Sequence, residues 1–161
     1  MAGRGTSSSA WRWVWALGPV LLYAAAIVVL SSRTSLPEPG ILAAIIKFFA
    51  RSPLAAWFGF DKVEHFLEYA LLGLLVARAM RILSGAGAGR VILVTTLLGA
   101  AFGATDELHQ FFVPGRDSSI FDLIADTLGS AAGATAWVVL AGAFRRRART
   151  PVAAGPARES T

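Results

Sequence analysis

The chain has 161 residues, of which 55% are hydrophobic, and it contains no cysteine. Its mean hydropathy of +0.60 exceeds that of an ordinary soluble domain and indicates a protein that has the bilayer as its solvent. The missing cysteines exclude disulfides, thiolate nucleophiles and thiolate metal sites. The formal net charge is +5, but the basic residues flank apolar segments and form no aromatic-interleaved face, so we expect no nucleic-acid partner.

The first apolar segment, residues 13–30, is long enough to cross a bilayer as a helix. A cleaved signal peptide is the alternative, because Arg4 and Arg12 precede the segment. The apolar run is longer than the roughly 7 to 15 residues of a signal peptide, and no small-x-small cleavage site follows it. We therefore predict an uncleaved membrane-spanning helix.

The loop that follows contains a second kind of helix signal. Residues 36–40 include Pro37 and Pro39 and are typical of extended chain. Residues 41–51 are amphipathic, with Lys47 and Arg51 on a different face from the apolar residues Ile41, Leu42, Ile45, Ile46 and Phe49. This pattern predicts a short helix in the outer membrane interface, with a re-entrant segment as the alternative.

Three further spans are predicted, at residues 61–80, from residue 90 or 91 to residue 110, and at residues 120–144. A glycine-rich turn at residues 84–89 separates the first two of them. The prediction is an all-α, integral membrane four-helix bundle over residues 13–144. Residues 1–12 form a cytoplasmic N-terminal segment, and residues 145–161 form a basic cytoplasmic tail that is expected to be disordered.

The distribution of Lys and Arg predicts the orientation, because the cytoplasmic side carries the excess. One side holds nine of them: Arg4, Arg12, Arg78, Arg81, Arg90, Arg145, Arg146, Arg147 and Arg149. The other side holds five: Arg33, Lys47, Arg51, Lys62 and Arg116. Both termini are therefore expected in the cytoplasm, in a multi-pass protein of the bacterial cytoplasmic membrane.

Acidic and histidine residues gather at the outer edge of the last three spans. Positions three and four apart share a helix face, and three faces result: Asp61, His65, Glu68 and Tyr69; Asp106, His109 and Gln110; Asp122 and Asp126. Each charge costs about 2.5 to 3.5 kcal/mol at the centre of a membrane helix. Such a concentration at one depth predicts either mutual pairing or a working polar site.

The helix dipole explains only part of this cluster. It favours acids at a helix N-terminus by about 0.3 to 1 kcal/mol each, which accounts for Asp61, Glu64 and Asp122. Asp106 and Glu107 end their helix, where the dipole disfavours anions. Either they pair with Lys62 or Arg116, or a new turn begins with Thr105 as its N-cap.

Two spacings bear on metal binding. His65 with Glu68, and Asp106 with His109, place an imidazole and a carboxylate on one helix face, as in bundle metal sites. Zn, Mn or Fe would suit such ligands. Simple hydrogen-bond networks use the same spacing, so no cofactor is predicted and a divalent metal remains the alternative.

The loop after the third span, residues 112–119, contains Pro114 and Gly115, a turn signal, and Ser118 or Ser119 can cap the fourth helix. Arg116 suits a phosphate or carboxylate ligand, with snorkelling or a salt bridge to Asp106 or Glu107 as the alternative. Four glycines predict close helix contacts: Gly99, Gly103, Gly129 and Gly133.

These motifs resemble those of the VanZ-like family of small bacterial membrane proteins. The matching elements are Asp61-Lys62-x-x-His65-Phe66-x-x-Tyr69, then Asp106-Glu107-x-His109-Gln110-x-Phe112-x-Pro114-Gly115-Arg116, and Asp122 with Gly129 and Gly133. The resemblance implies a membrane protein of the cell envelope, since the family's namesake is linked to teicoplanin resistance. The family often has Asn where this chain has Asp126, so the chain adds a charge to the cluster.

Three functions are compatible with this sequence. The first is an envelope protein that acts on or binds a lipid-linked cell-wall precursor or a glycopeptide. Asp61, His65, Asp106, Glu107 and His109 are its catalytic candidates, with a histidine as general acid or base. Its substrate-binding candidates are Lys62, Tyr69, Gln110, Arg116, Asp122 and Asp126. The second is a non-enzymatic binder or modulator of an antibiotic or envelope partner. Homo-oligomers are compatible with the sequence whichever function holds. The third is a small ion-coupled transporter, which the confinement of the charges to one edge disfavours.

Overall fold

The computed structural model describes residues 6–32 and 59–149, and within them every regular element is a helix. The helices are α1 (Thr6–Ser31), α2 (Phe60–Ser84), α3 (Ala88–Phe111) and α4 (Ile120–Arg149). The all-α prediction is therefore confirmed. The predicted interfacial helix at residues 41–51 and the tail beyond residue 149 lie outside the described residues.

Three of the helices in the described ranges are long and apolar enough to cross a membrane: Ser9–Ser31, Ala88–Phe111 and Ile120–Arg147. The helix α2 is equally long, at 25 residues, but its first three turns contain Asp61, Lys62, Glu64 and Glu68. It is the central helix, because α1, α3 and α4 all pack against it, α4 most extensively. Packing against apolar neighbours, more than its own hydropathy, therefore accounts for its place in the bundle.

Helices that follow one another in the chain run antiparallel, so α2 and α4, which pack most extensively, run parallel to each other. Arg12 Nη2 donates to the carbonyl of Ile82 at 2.9 Å, and Arg78 Nη1 donates to the carbonyl of Trp15 at 2.9 Å. These bonds hold the start of α1 beside the end of α2. We call this the arginine end of the bundle; α3 begins and α4 ends there. The opposite end, where α2 and α4 begin and α1 and α3 end, is the acidic end.

Two short turns make this arrangement. After α2, Gly85 adopts the left-handed conformation (φ 61°) that commonly ends a helix, and Arg81 Nη1 donates to the Ala86 carbonyl at 2.5 Å. Before α4, the Arg116 amide donates to the Val113 carbonyl at 3.1 Å, with Gly115 at φ 81°. Proline then glycine at the central positions is the type II pattern, which confirms the predicted turn.

Glycines bring α2 and α4 into backbone contact. A Cβ on Gly129 would collide with the carbonyl of Phe66, and one on Gly133 with the carbonyl of Ala70. A Cβ on Gly73 would collide with the backbone of Ser130. The close contact predicted at Gly129 and Gly133 is confirmed. Because these backbones touch, the side chains that begin α2 and α4 are also brought together.

Candidate functional site

The acidic end contains a buried polar cluster to which all four helices contribute. Seven polar or charged side chains are buried there: Ser31, His65, Asp106, Glu107, Gln110, Asp122 and Asp126. No ionisable side chain is buried at the arginine end within the described helices. The predicted convergence of α2, α3 and α4 is therefore observed, and α1 joins them through a serine that the sequence did not single out.

His65 and Asp126 form the innermost pair of this cluster. His65 Nδ1 donates to Asp126 Oδ1 at 2.9 Å, and the two residues are 6% and 0% exposed. Gly103 of α3 makes room for the carboxylate, since a Cβ there would lie 2.7 Å from Asp126 Oδ2. Three helices thus fix the orientation of one imidazole ring. Asp126 Oδ2 has no hydrogen-bond partner within the described part of the chain.

Lys62 bridges two carboxylates at the solvent-exposed edge of the cluster. Its Nζ lies 3.0 Å from Oδ1 of Asp122, which is buried, and also contacts Asp61, which is exposed. Asp122 begins α4, where the dipole favours an anion. The ammonium of Lys62 is therefore already balanced by protein carboxylates, which leaves it little capacity to hold an anionic ligand.

Glu107 has a partner that neither sequence alternative contained. Its Oε2 accepts the backbone N–H of Ser119 at 2.6 Å, and Ser119 is the residue before α4. An acid at the end of α3 is thus stabilised by the positive end of the α4 dipole. The alternative of a new turn capped by Thr105 is wrong, because α3 continues unbroken and Thr105 Oγ1 donates back to the Phe102 carbonyl at 2.6 Å.

Ser119 also caps α4, as one of the two predicted candidates. Its Oγ accepts the Phe121 amide at 3.2 Å, and its carbonyl accepts the Asp122 amide at 3.0 Å. This cap aims the Ser119 N–H at Glu107, so the turn and the cluster depend on the same residue.

Gln110 connects α3 to α1. Its Nε2 donates to Asp106 Oδ2 and to Ser31 Oγ, both at 3.3 Å. Asp106 Oδ1 has no hydrogen-bond partner among the described residues. The amide therefore positions Asp106, and a direct contact between Gln110 and a ligand is not needed to explain its burial.

His109 lies apart from His65, on the exposed surface of the acidic end. It is exposed, and its Nε2 is 2.9 Å from Ser32 Oγ, whose own proton goes to the Val28 carbonyl at 2.7 Å. The ring nitrogen is therefore the donor in that contact. The two histidines have different environments, and only His65 lies among the buried acids.

The other predicted site residues lie around the cluster. Tyr69 is fully buried against Ile27 and Leu72, and its ring centroid is 6.0 Å from that of Phe102. Glu68 is partly buried and interacts electrostatically with Tyr23 of α1. Arg116 is partly buried, lies near enough to act on Glu64, and makes no ion pair with any described residue.

Three of the buried residues have the spacing of metal ligands. One atom each from His65, Glu107 and Asp122 lies within 4.8 Å of the other two, and all three residues are buried. The candidate metal ligands from the sequence were His65, Glu68, Asp106 and His109. The structure keeps His65 but groups it with Glu107 and Asp122, because α3 turns Glu107 toward the start of α4.

An apolar cavity of about 190 Å³ lies between the helices, next to the cluster. Tyr69 separates the two, since it follows His65 by one turn and packs on Phe102, which lines the cavity. The lining comes from all four helices: Val20, Ala24, Leu72, Gly73, Val76, Thr95, Leu98, Gly99, Phe102 and Ser130. No sequence pattern indicated this cavity, because it depends on how the helices cross.

A family model described as VanZ/LLP1 matches residues 13–141, which is most of the chain. The chain belongs to the VanZ/LLP1 family. No curated protein and no solved structure matches it. The resemblance drawn from the sequence motifs is thereby confirmed.

The motif residues of this VanZ/LLP1 protein gather at the acidic end. His65, Asp106, Glu107 and Gln110 are buried there, and the Pro114-Gly115-Arg116 element forms the turn above them. An imidazole held by a carboxylate is a common acid–base arrangement. Free carboxylate oxygens beside it are equally suited to a cation. The same geometry therefore supports proton transfer or metal binding.

Proposed function

We propose that this VanZ/LLP1 protein is a cell-envelope protein of the bacterial cytoplasmic membrane that binds or acts on a lipid-linked cell-wall component. Its acidic end faces outward, and its activity contributes to tolerance of glycopeptides such as teicoplanin. The observation that carries the proposal is that a buried polar cluster lies next to an apolar cavity, with only Tyr69, packed on the lining residue Phe102, between them.

A lipid-linked molecule has the two chemistries that this arrangement offers. Its hydrocarbon chain suits a cavity lined by Val20, Leu72, Val76 and Leu98, and its polar head suits the cluster. Leu98 is exposed on the surface of the bundle, so the cavity borders the surface that meets lipid. A ligand that is already dissolved in the membrane could enter from the side.

Arg116 is the best candidate for the contact with an anionic head group. Lys62 is held by Asp61 and Asp122, whereas Arg116 has no ion-pair partner among the described residues. Its guanidinium can bind a phosphate or carboxylate through two parallel hydrogen bonds. A hydrogen bond to a charged group contributes about 1.5 to 3 kcal/mol, which corresponds to roughly 10- to 150-fold in affinity.

The test is expression in a sensitive bacterial host, followed by inhibitory concentrations for a panel of cell-wall antibiotics. We expect the wild type to raise the inhibitory concentration of teicoplanin, and Arg116→Ala to return it toward that of the host alone. Arg145→Ala is the matched control, because Arg145 is exposed at the arginine end. Membrane abundance is measured for each variant.

The cavity gives the same experiment a second arm. Ala24→Phe places a ring in the cavity, whereas Ala25→Phe places one on the exposed side of α1. We expect only Ala24→Phe to reduce tolerance at equal abundance. A wild type that changes no susceptibility in the panel, or an Arg116→Ala variant that protects as well as the wild type, would refute the proposal.

A further inference from the structure

The three grouped ligand atoms of His65, Glu107 and Asp122 belong to three different helices, α2, α3 and α4. Grouping alone does not make a metal site, since acidic clusters are common without an ion. Two further observations concern the state of these side chains, and each points to a ligand.

The first observation is an unsatisfied carboxylate oxygen. Glu107 is 7% exposed, and its Oε2 is taken by the Ser119 N–H, while Oε1 has no hydrogen-bond partner in the described ranges. A buried polar atom without a partner costs about 1 to 3 kcal/mol, and more when it is charged. A bound cation would remove this cost and would use the oxygen that the helix terminus leaves free.

The second observation is the state of the His65 ring. Its Nδ1 donates to Asp126 Oδ1 at 2.9 Å, so Nε2 is the nitrogen that remains to ligate. A metal-binding histidine almost always donates its other ring N–H to a carboxylate or carbonyl, which fixes the tautomer and raises the basicity of the ligand. Asp126, fully buried and accommodated by Gly103, occupies this supporting position.

The charge balance agrees with a cation. Glu107, Asp122 and Asp126 are carboxylates, and among the described residues the one ammonium near them is that of Lys62, which contacts Asp122 and is shared with Asp61. With His65 neutral, as a metal ligand must be, the group carries at least two negative charges. Burial of uncompensated charge in a membrane protein is unfavourable, and one divalent cation would offset two of these charges.

We infer that His65, Glu107 and Asp122 bind one divalent transition-metal ion, with Asp126 as the positioning residue behind His65. One imidazole with two carboxylates suits Mn²⁺ or Zn²⁺ better than a thiolate-loving metal. The inference concerns the cluster used in the proposed function but does not depend on the ligand or the phenotype proposed there. Metal binding by the purified protein can succeed where the antibiotic assay fails, and the reverse.

The experiment titrates the full chain, purified in detergent and stripped with a chelator, with MnCl₂ and ZnCl₂ by calorimetry. We expect about one ion per chain and a higher melting temperature on binding. Glu107→Gln and Asp122→Asn should each weaken binding more than about 100-fold, and Asp126→Asn by about 10- to 100-fold, the range for supporting residues. Asp117→Asn is the matched control, since Asp117 is an exposed acid in the turn at the same end of the bundle and is not a member of the cluster.

Folding of each variant is checked by helical content and by elution as a single species. The wild type alone supplies an independent readout: pulsed electron paramagnetic resonance of the Mn²⁺ complex should show coupling to one imidazole nitrogen. Absence of binding to the wild type, absence of that nitrogen coupling, or equal binding by the Glu107→Gln and Asp117→Asn variants would overturn the inference.

Discussion

At the scale of single residues, the acids of the cluster differ in how far the sequence explains them. Asp122 begins a helix, and the dipole accounts for it as predicted. Glu107 ends one, and its stabilisation comes from the N–H of Ser119 across a loop. That bond depends on the conformation of the loop at residues 112–119, which residue spacing does not encode. The sequence analysis also did not include Ser31 and Ser32 among the polar residues of the acidic end. Two consecutive hydroxyl side chains at the end of the first apolar segment were the signal that could have indicated them.

The His65–Asp126 pair gives a stability prediction. Removing one partner of a buried hydrogen-bonded pair leaves the other unsatisfied, which costs about 1 to 3 kcal/mol and more where the remaining group is charged. We expect His65→Leu and Asp126→Leu each to lower the free energy of unfolding by that amount. The double variant should lose less than the two singles together. The measurement is reversible denaturation in detergent, followed by helical content.

Asp126→Asn is the control for this double-mutant cycle of His65 and Asp126. Its amide oxygen can still accept the Nδ1–H of His65, so we expect a much smaller loss than for Asp126→Leu. Additive losses in the double variant would mean that the two side chains do not stabilise one another.

At the scale of helices, small residues set the distances between axes. Gly73, Gly129 and Gly133 bring α2 and α4 into backbone contact, and Gly103 leaves space for Asp126. The spacing of glycines predicted that close contacts occur. The glycine spacing did not predict that Gly129 and Gly133 contact α2, because contact with another helix of the bundle would have fitted the same spacing. The identity of the partner follows from the three-dimensional packing, in which α2 is central.

Two substitutions in α4 separate packing from helix propensity. Gly133→Ala places a methyl group against the Ala70 carbonyl, whereas a Cβ on Gly142 meets nothing within 4 Å. We expect Gly133→Ala to destabilise the protein by about 1 to 3 kcal/mol through overpacking. Gly142→Ala should be neutral or stabilise it by about 0.5 to 1 kcal/mol. Thermal unfolding in detergent measures both, and equal melting temperatures would contradict the packing argument.

At the scale of the whole molecule, apolar periodicity and turn residues were enough to predict an all-α bundle. The positions at which helices end were less predictable. The helix α4 extends to Arg149, whereas the apolar pattern predicted an end at residue 144. Arginines are good helix formers and continue the helix beyond its apolar part. The convergence of polar residues was predictable, since their positions at alternate helix ends put them at one height. Their pairing was not, because it depends on the rotation of each helix about its axis.

The orientation of the bundle in the membrane is the remaining whole-molecule prediction. The arginine end should face the cytoplasm, because the topology predicted from the sequence assigns nine Lys or Arg residues to that side and five to the other. The chain has no cysteine, so single cysteines can report the side without a background signal. Ser118 and Gly87 are both exposed, in the turns at the acidic and arginine ends. In intact spheroplasts, a membrane-impermeant maleimide should label the Ser118→Cys variant at once and the Gly87→Cys variant only after permeabilisation. The opposite labelling pattern would place the acidic end in the cytoplasm. The buried cluster would then have no access to cell-wall components in the outer leaflet.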